Sequence, residues 1–219
     1  MTSLLDAAAG TRPAGSPVEL LIALTLLSLI PILAVSVTSF TRVIVVFGLL
    51  RASIGAPSLP PNSVLSSLAV MLTCVVMRPT LVRVQNEALV PYMSHHLAAS
   101  QAIERGAVPL RDFMLKQARP ADIISFAHIA GMQPRRVAEV PFSIVTPAFL
   151  VGELRAAFAM GFALALPFAV IDIVVAAVLM SLGMFMVAPA ALSMPLKLLL
   201  FVTANGWTLV AGAVIASFR

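Results

Sequence analysis

Apolar positions run almost unbroken from residue 18 to about 40 and resume over 43–50. About 20 helical residues cross the hydrocarbon core of a bilayer, so this run exceeds one span. Pro31 predicts a kink inside it, because proline removes a backbone donor and clashes with the preceding turn. Leu59-Pro-Pro-Asn62 reads as a turn, with Pro61 placed to open the next helix. The second apolar stretch, 63–77, is short for a full span. Residues 78–140 change character, holding eight of the 14 basic residues, five of the nine acidic ones and all three histidines. Val108-Pro109 and Arg119-Pro-Ala-Asp122 divide this insertion, and proline followed by aspartate marks a helix start. Phe113, Met114, Ile123, Ile124, Phe126, Ala127 and Ile129 give it helical apolar faces, which predicts a small helical domain outside the membrane. The third stretch, 142–182, is about twice the length of a span. Glu153, Arg155, Gly161 and Pro167 interrupt it, so two helices or one sharply kinked helix are predicted. The fourth, 196–218, carries Lys197 at its start and Trp207 midway.

The pattern predicts an all-α, membrane-associated chain of helical hairpins with a small helical extracytoplasmic insertion. Its parts are a polar tail over 1–17, an apolar hairpin over 18–77, the insertion over 78–140 and a second apolar hairpin over 141–219. Composition sharpens this: 60% of residues are hydrophobic and 11% charged, with a mean hydropathy of +1.05. A soluble domain carries about 25% charged residues, so these are too few to cover a water-facing surface. The net charge of +5 is spread along the chain. Without a basic face interleaved with aromatics, no nucleic-acid partner is expected. Arg42 and Arg51 fall between the first two stretches, in what reads as a short loop with no acidic neighbour. Such loops stay cytoplasmic, which places the N-terminus and the insertion outside. The first 17 residues lack the basic start and short apolar core of a signal peptide, and the following run is long enough to remain as a helix.

Candidate chemistry is sparse. There is no nucleophile elbow, phosphate-cradling glycine loop or His-Glu-x-x-His, and no metal or cofactor is expected. Cys74, the single cysteine, reads as a small buried hydrophobe. His95 and His96 are adjacent and read as a surface pair, and His128 reads as packing. Glu153, Asp172 and Lys197 differ, because each sits inside an apolar stretch where an isolated charge costs on the order of 3 kcal/mol. They are expected to pair between helices or between subunits. Arg155 is two residues from Glu153 and so needs a different partner. Ala157, Gly161 and Ala165 recur every four residues, a spacing that lets helices approach closely. Met184, Phe185 and Met186 lie between Gly183 and Pro189, in a segment that cannot be regular helix throughout. Methionine is flexible and polarizable, so these residues suit a deformable apolar constriction. An ion-coupled transporter, with Asp172 as the proton or sodium site and Lys197 as counter-charge, is the rival reading.

At the level of motifs the chain resembles the flagellar biosynthetic protein FliP family, whose injectisome relatives form the R subunit of the type III secretion export gate. The resemblance covers residues 18–218. It rests on Thr38-Ser-Phe-Thr-Arg42 with Gly48-Leu-Leu-Arg51, Pro60-Pro-Asn62, Pro109-Leu-Arg-Asp-Phe-Met114 and Glu153-Leu. Further matches are Pro167-Phe with Ile171-Asp172, Leu182-Gly-Met-Phe-Met186, Pro195-Leu-Lys-Leu-Leu-Leu-Phe201 and Gly206-Trp207.

The resemblance implies a core subunit of the flagellar export gate in the bacterial inner membrane, at the basal body. It implies a pentamer joined by FliQ- and FliR-like subunits in a right-handed helical stack, with FlhB- and FlhA-like export components nearby. Unfolded flagellar subunits would pass through its centre. The loop over 183–189 matches the family's methionine gasket, making Met184, Phe185 and Met186 gate residues. Glu153, Asp172 and Lys197 match charged positions used in contacts between or within subunits. In such a stack the apolar hairpins pack largely on each other, so hydropathy overcounts simple bilayer spans. The chain departs from the family pattern at Phe185, where many relatives carry methionine. It departs again at Ala204-Asn205, where relatives often carry an acidic residue, and at its N-terminus, since the family usually begins with a cleaved signal peptide.

Overall fold

A computed structural model describes residues 17–218, which form eight α-helices and no strand among the described residues. The tail expected over 1–17 lies outside them, apart from Pro17. The helices are α1 (Pro17–Val37), α2 (Phe40–Ile54), α3 (Asn62–Met93), α4 (Ala99–Gln117), α5 (Pro120–Ile129), α6 (Phe142–Ser181), α7 (Pro189–Thr203) and α8 (Gly206–Ala216).

Most of α1, up to Val35, forms a unit of its own. Its helix continues through Pro31, where the sequence predicts a kink. Apolar helices tolerate proline when the freed backbone groups find other partners. Thr25 and Ser28 turn their hydroxyls onto their own helix, donating to the carbonyls of Leu21 and Thr25 at 2.8 and 2.7 Å.

The second unit runs from Ser36 onward. Helix hydrogen bonding stops at Thr38-Ser39. There Thr38 Oγ1 accepts the Phe40 N–H at 3.3 Å, a local bond that competes with the helical ladder. Arg42 and Arg51 therefore lie within α2, and the loop expected around them is instead a helix. The turn from α2 to α3 is set by Gly55 in the left-handed conformation (φ 85°). Arg51 Nη1 closes it, donating to Asn62 Oδ1 at 2.6 Å and to the Pro60 carbonyl at 3.3 Å.

Packing follows the small and apolar positions. Val43, Val46, Phe47 and Leu50 of α2 are buried against Leu65 and Ala69 of α3, Ala157 and Phe168 of α6, Phe201 of α7, and Val210 and Val214 of α8. Helices α2 and α6 run parallel, and Gly161 lets them meet. A Cβ there would lie 2.3 Å from the Leu49 side chain. A second core joins Met114 of α4, Ala118 just after it, and Ile123 and Ala127 of α5 to Val145, Ala148 and Phe149 of α6. The insertion is thus packed onto the first turns of α6, and Phe113 stacks on Phe218 with ring centroids 6.3 Å apart. Arg111 ties down the approach to α6, donating to the carbonyls of Ala138 and Val140 at 2.7 Å each.

Helix α4 runs unbroken through Val108-Pro109, where the sequence predicts a division, and three more elements differ from expectation. Helix α3 does not stop at Met77 but continues for 32 residues. Arg78 is a good helix former, and the helix carries Pro79 within it. Near its end the Val90 N–H reaches back five residues to Gln85, a π-turn just before Pro91. Helix α6 is one continuous helix of 40 residues, about 60 Å long. Its charges find partners, and Pro147 and Pro167 are both carried inside the helix, so the division into two helices does not occur. The fourth stretch is the one that breaks. Asn205 adopts the left-handed conformation (φ 56°) and α8 leaves α7 at 66°. Asparagine tolerates that region better than most residues.

Candidate functional site

The charged residues of the apolar stretches form two ion pairs. In the first, Arg42 of α2 grips Glu153 of α6, with Nε donating to Oε2 at 2.8 Å and Nη2 to Oε1 at 2.5 Å. Glu153 is 1% exposed. The remaining nitrogen, Nη1, donates to the Ser217 carbonyl at 3.0 Å and to its hydroxyl at 2.9 Å. The guanidinium also lies 3.8 Å over the Phe218 ring, a favourable cation–π placement. The fork of arginine suits such bidentate pairing. Arg42, expected as a topology charge, is thus a buried connector of α2, α6 and the end of α8.

In the second pair, Lys197 Nζ of α7 donates to Asp172 Oδ2 of α6 at 2.6 Å and to the Ser53 carbonyl of α2 at 3.2 Å. Lys197 is buried, whereas the Asp172 side chain is 47% exposed. The cation is therefore fixed inside the subunit while the anion faces outward. Arg155 turns the other way on α6 and pairs with Asp122 of α5 at 2.8 Å.

Beyond this pair, α6 ends in a tight stop. Gly183 is left-handed (φ 73°), the Met184 N–H reaches the Leu179 carbonyl at 2.9 Å, and the Gly183 N–H reaches Met180 at 3.1 Å. This is the Schellman arrangement, which needs a residue without a Cβ penalty at that position. Pro189 then opens α7. Held in this short link, Met184 is exposed, Phe185 is 79% exposed and Met186 is 99% exposed. Beside it, Val174, Val178, Leu179, Leu192, Pro195 and Leu196 line an apolar groove between α6 and α7.

The histidines stand apart from these features. His95 is left-handed (φ 58°) at the tip beyond α3, and His96 Nδ1 contacts Ser94 Oγ at 2.8 Å. No group of three or more His, Cys, Asp or Glu among the described residues is arranged to hold a metal. Cys74, expected to be buried, is exposed on α3. Sequence reasoning missed Ser217, Phe218 and the Ser53 carbonyl as partners of the charges. No local pattern marks them, because the contacts join positions 175 and 144 residues apart.

Two buried or half-buried ion pairs between long apolar helices, with an exposed methionine link at one hairpin tip, define an all-α membrane protein. The chain belongs to the FliP family, whose profile matches residues 23–214. It is similar to the flagellar biosynthetic protein FliP of Caulobacter vibrioides, at 46% identity over 203 residues, covering 92% of this chain and 76% of that one. The protein of the same name from Pectobacterium carotovorum is 46% identical over 202 residues, covering 92% and 78%. That from Bacillus subtilis is 40% identical over 204 residues, covering 93% and 92%.

Proposed function

We propose that this chain is the pore-forming core subunit of a flagellar type III export gate in the bacterial inner membrane. Several copies surround a channel for unfolded flagellar subunits, five by family resemblance. FliQ- and FliR-like subunits complete the stack, which works with FlhA- and FlhB-like components. The observation that carries the reading is the link after α6, a tightly capped stop at which Met184, Phe185 and Met186 are all exposed, the last two most of all. Alone, three consecutive exposed apolar side chains are unfavourable in water. Arranged around an axis, they meet their counterparts and form an apolar constriction that excludes water and ions by dewetting. Methionine flexes to fit changing cargo, and Phe185 adds a stiffer, broader ring.

Replacing Met184, Phe185 and Met186 together with glycine is expected to make the assembled complex leak small ions, measured as conductance or ion-sensitive growth. An unchanged leak with the complex still assembled refutes the gasket role. The rival transporter reading makes Asp172 an ion site. It requires Asp172→Asn to abolish transport while the complex stays intact. As an export-gate subunit the same variant weakens assembly first, since it leaves Lys197 buried without its counter-charge.

A further inference from the structure

Two charges near the same level of the subunit remain incompletely paired. Arg51, near the end of α2, has no carboxylate within ion-pair distance among the described residues. Its only recorded partners are the neutral oxygens of Pro60 and Asn62, both on Nη1. Asp172 is satisfied by Lys197 through Oδ2, yet its side chain is 47% exposed. Their heights correspond, because Lys197 Nζ touches both Asp172 and the carbonyl of Ser53, two residues after Arg51.

They also lie on different flanks. Helix α2 packs against both α3 and α6, while α3 and α6 make no substantial contact with each other. Arg51 reaches toward the start of α3, and Asp172 sits on α6. A cation on one flank and an anion on the other, at matching height, is the arrangement of a head-to-tail interface that repeats around a ring. Arg78, at the border of the second apolar stretch, also has no ion-pair partner among the described residues. It lies 16 positions into α3, about 24 Å from that helix's start, and so at a different level.

We propose that Arg51 of one copy pairs with Asp172 of the next, so that each Asp172 is held between its own Lys197 and its neighbour's Arg51. This rests on the homo-oligomer reading above and names the contact that sets its direction. The pairing suits arginine, whose fork leaves Nε and Nη2 free for a carboxylate while Nη1 holds the turn. It also explains why the buried member of the second ion pair is the lysine and the exposed member the aspartate.

Cysteine crosslinking tests this without removing either charge. Gly48 lies one turn before Arg51, with open space where its Cβ would be. Ala169 lies one turn before Asp172 and is exposed. In a Cys74→Ser background, the double variant Gly48→Cys/Ala169→Cys is oxidised in membranes, and the extracted particle is weighed. A covalent ladder up to the full oligomer, seen only with both cysteines and lost with Arg51→Gln, supports the pairing. Asn62→Ala, which removes the local turn contact and keeps the charge, is expected to leave the ladder intact.

Intact oligomer mass without a ladder overturns this interface and leaves the oligomer standing. A monomeric mass in every variant removes the oligomer reading itself. Dimers from either single cysteine show a two-fold contact and overturn the head-to-tail direction. If Arg51→Gln spares the ladder but reduces retention on phosphatidylglycerol vesicles, the partner of Arg51 is a lipid headgroup and the proposal falls.

Discussion

At the residue scale, Arg42 and Glu153 show what a buried charge needs. Each nitrogen of Arg42 has an oxygen to meet, and its face rests on Phe218. Removing one member strands the other. Glu153→Ala is expected to destabilise the subunit by about 3–5 kcal/mol, because Arg42 loses its only carboxylate in a dry site. The double variant Arg42→Met/Glu153→Met is expected to be the milder change. Thermal unfolding of the detergent-extracted protein measures both, and a double variant as unstable as the single overturns this account. The sequence marked Glu153 as a charge needing a partner. It gave no sign that the partner was Arg42, 111 positions away.

At the element scale, the α7–α8 corner depends on two adjacent residues. Asn205 supplies the left-handed turn, and Gly206 leaves room for the Phe201 ring, which a Cβ would approach to 2.1 Å. Gly206→Ala is therefore expected to cost about 1–3 kcal/mol through overpacking, because the obstacle is a core ring itself packed edge-on against Trp207 at 5.2 Å. Asn205→Gly is expected to be tolerated, whereas Asn205→Val is expected to cost roughly 1–2 kcal/mol from the left-handed backbone. Denaturation midpoints of the three variants test the ranking, and equal midpoints for Gly and Val at 205 would sink it. The Gly206-Trp207 motif was visible in the sequence, but the corner it makes was not. An apolar run of 23 residues reads as one span whether or not it bends.

At the scale of the whole molecule, much of the apolar surface has no partner within the subunit. Phe158, Phe162, Ile173, Leu199 and Val202 all stand exposed on α6 and α7, as Met184, Phe185 and Met186 do at the tip. Such a surface belongs to lipid or to neighbouring chains. The mass of the particle, measured for the protein alone and then with FliQ- and FliR-like partners, is expected to show a discrete homo-oligomer that gains them. A monomer that ignores the partners would contradict the gate. The second core also shows the polar insertion packed against the apolar helix α6, which contributes Val145, Ala148 and Phe149 to it.

The sequence by itself determined the class of this protein, its helical character and the breaks near 59–62, 119–122 and 183–189. Hydropathy, proline, glycine and charge content act over a few neighbouring residues and are legible there. The motifs also pointed to the family. The tertiary structure decided that α6 is continuous, that α3 runs on through Arg78, and that the fourth stretch turns at Asn205. It also decided which charges meet and which face of each pair is open. Those outcomes depend on groups brought together from 25 to 175 positions apart, where a side chain's energy is set by the neighbours that enclose it.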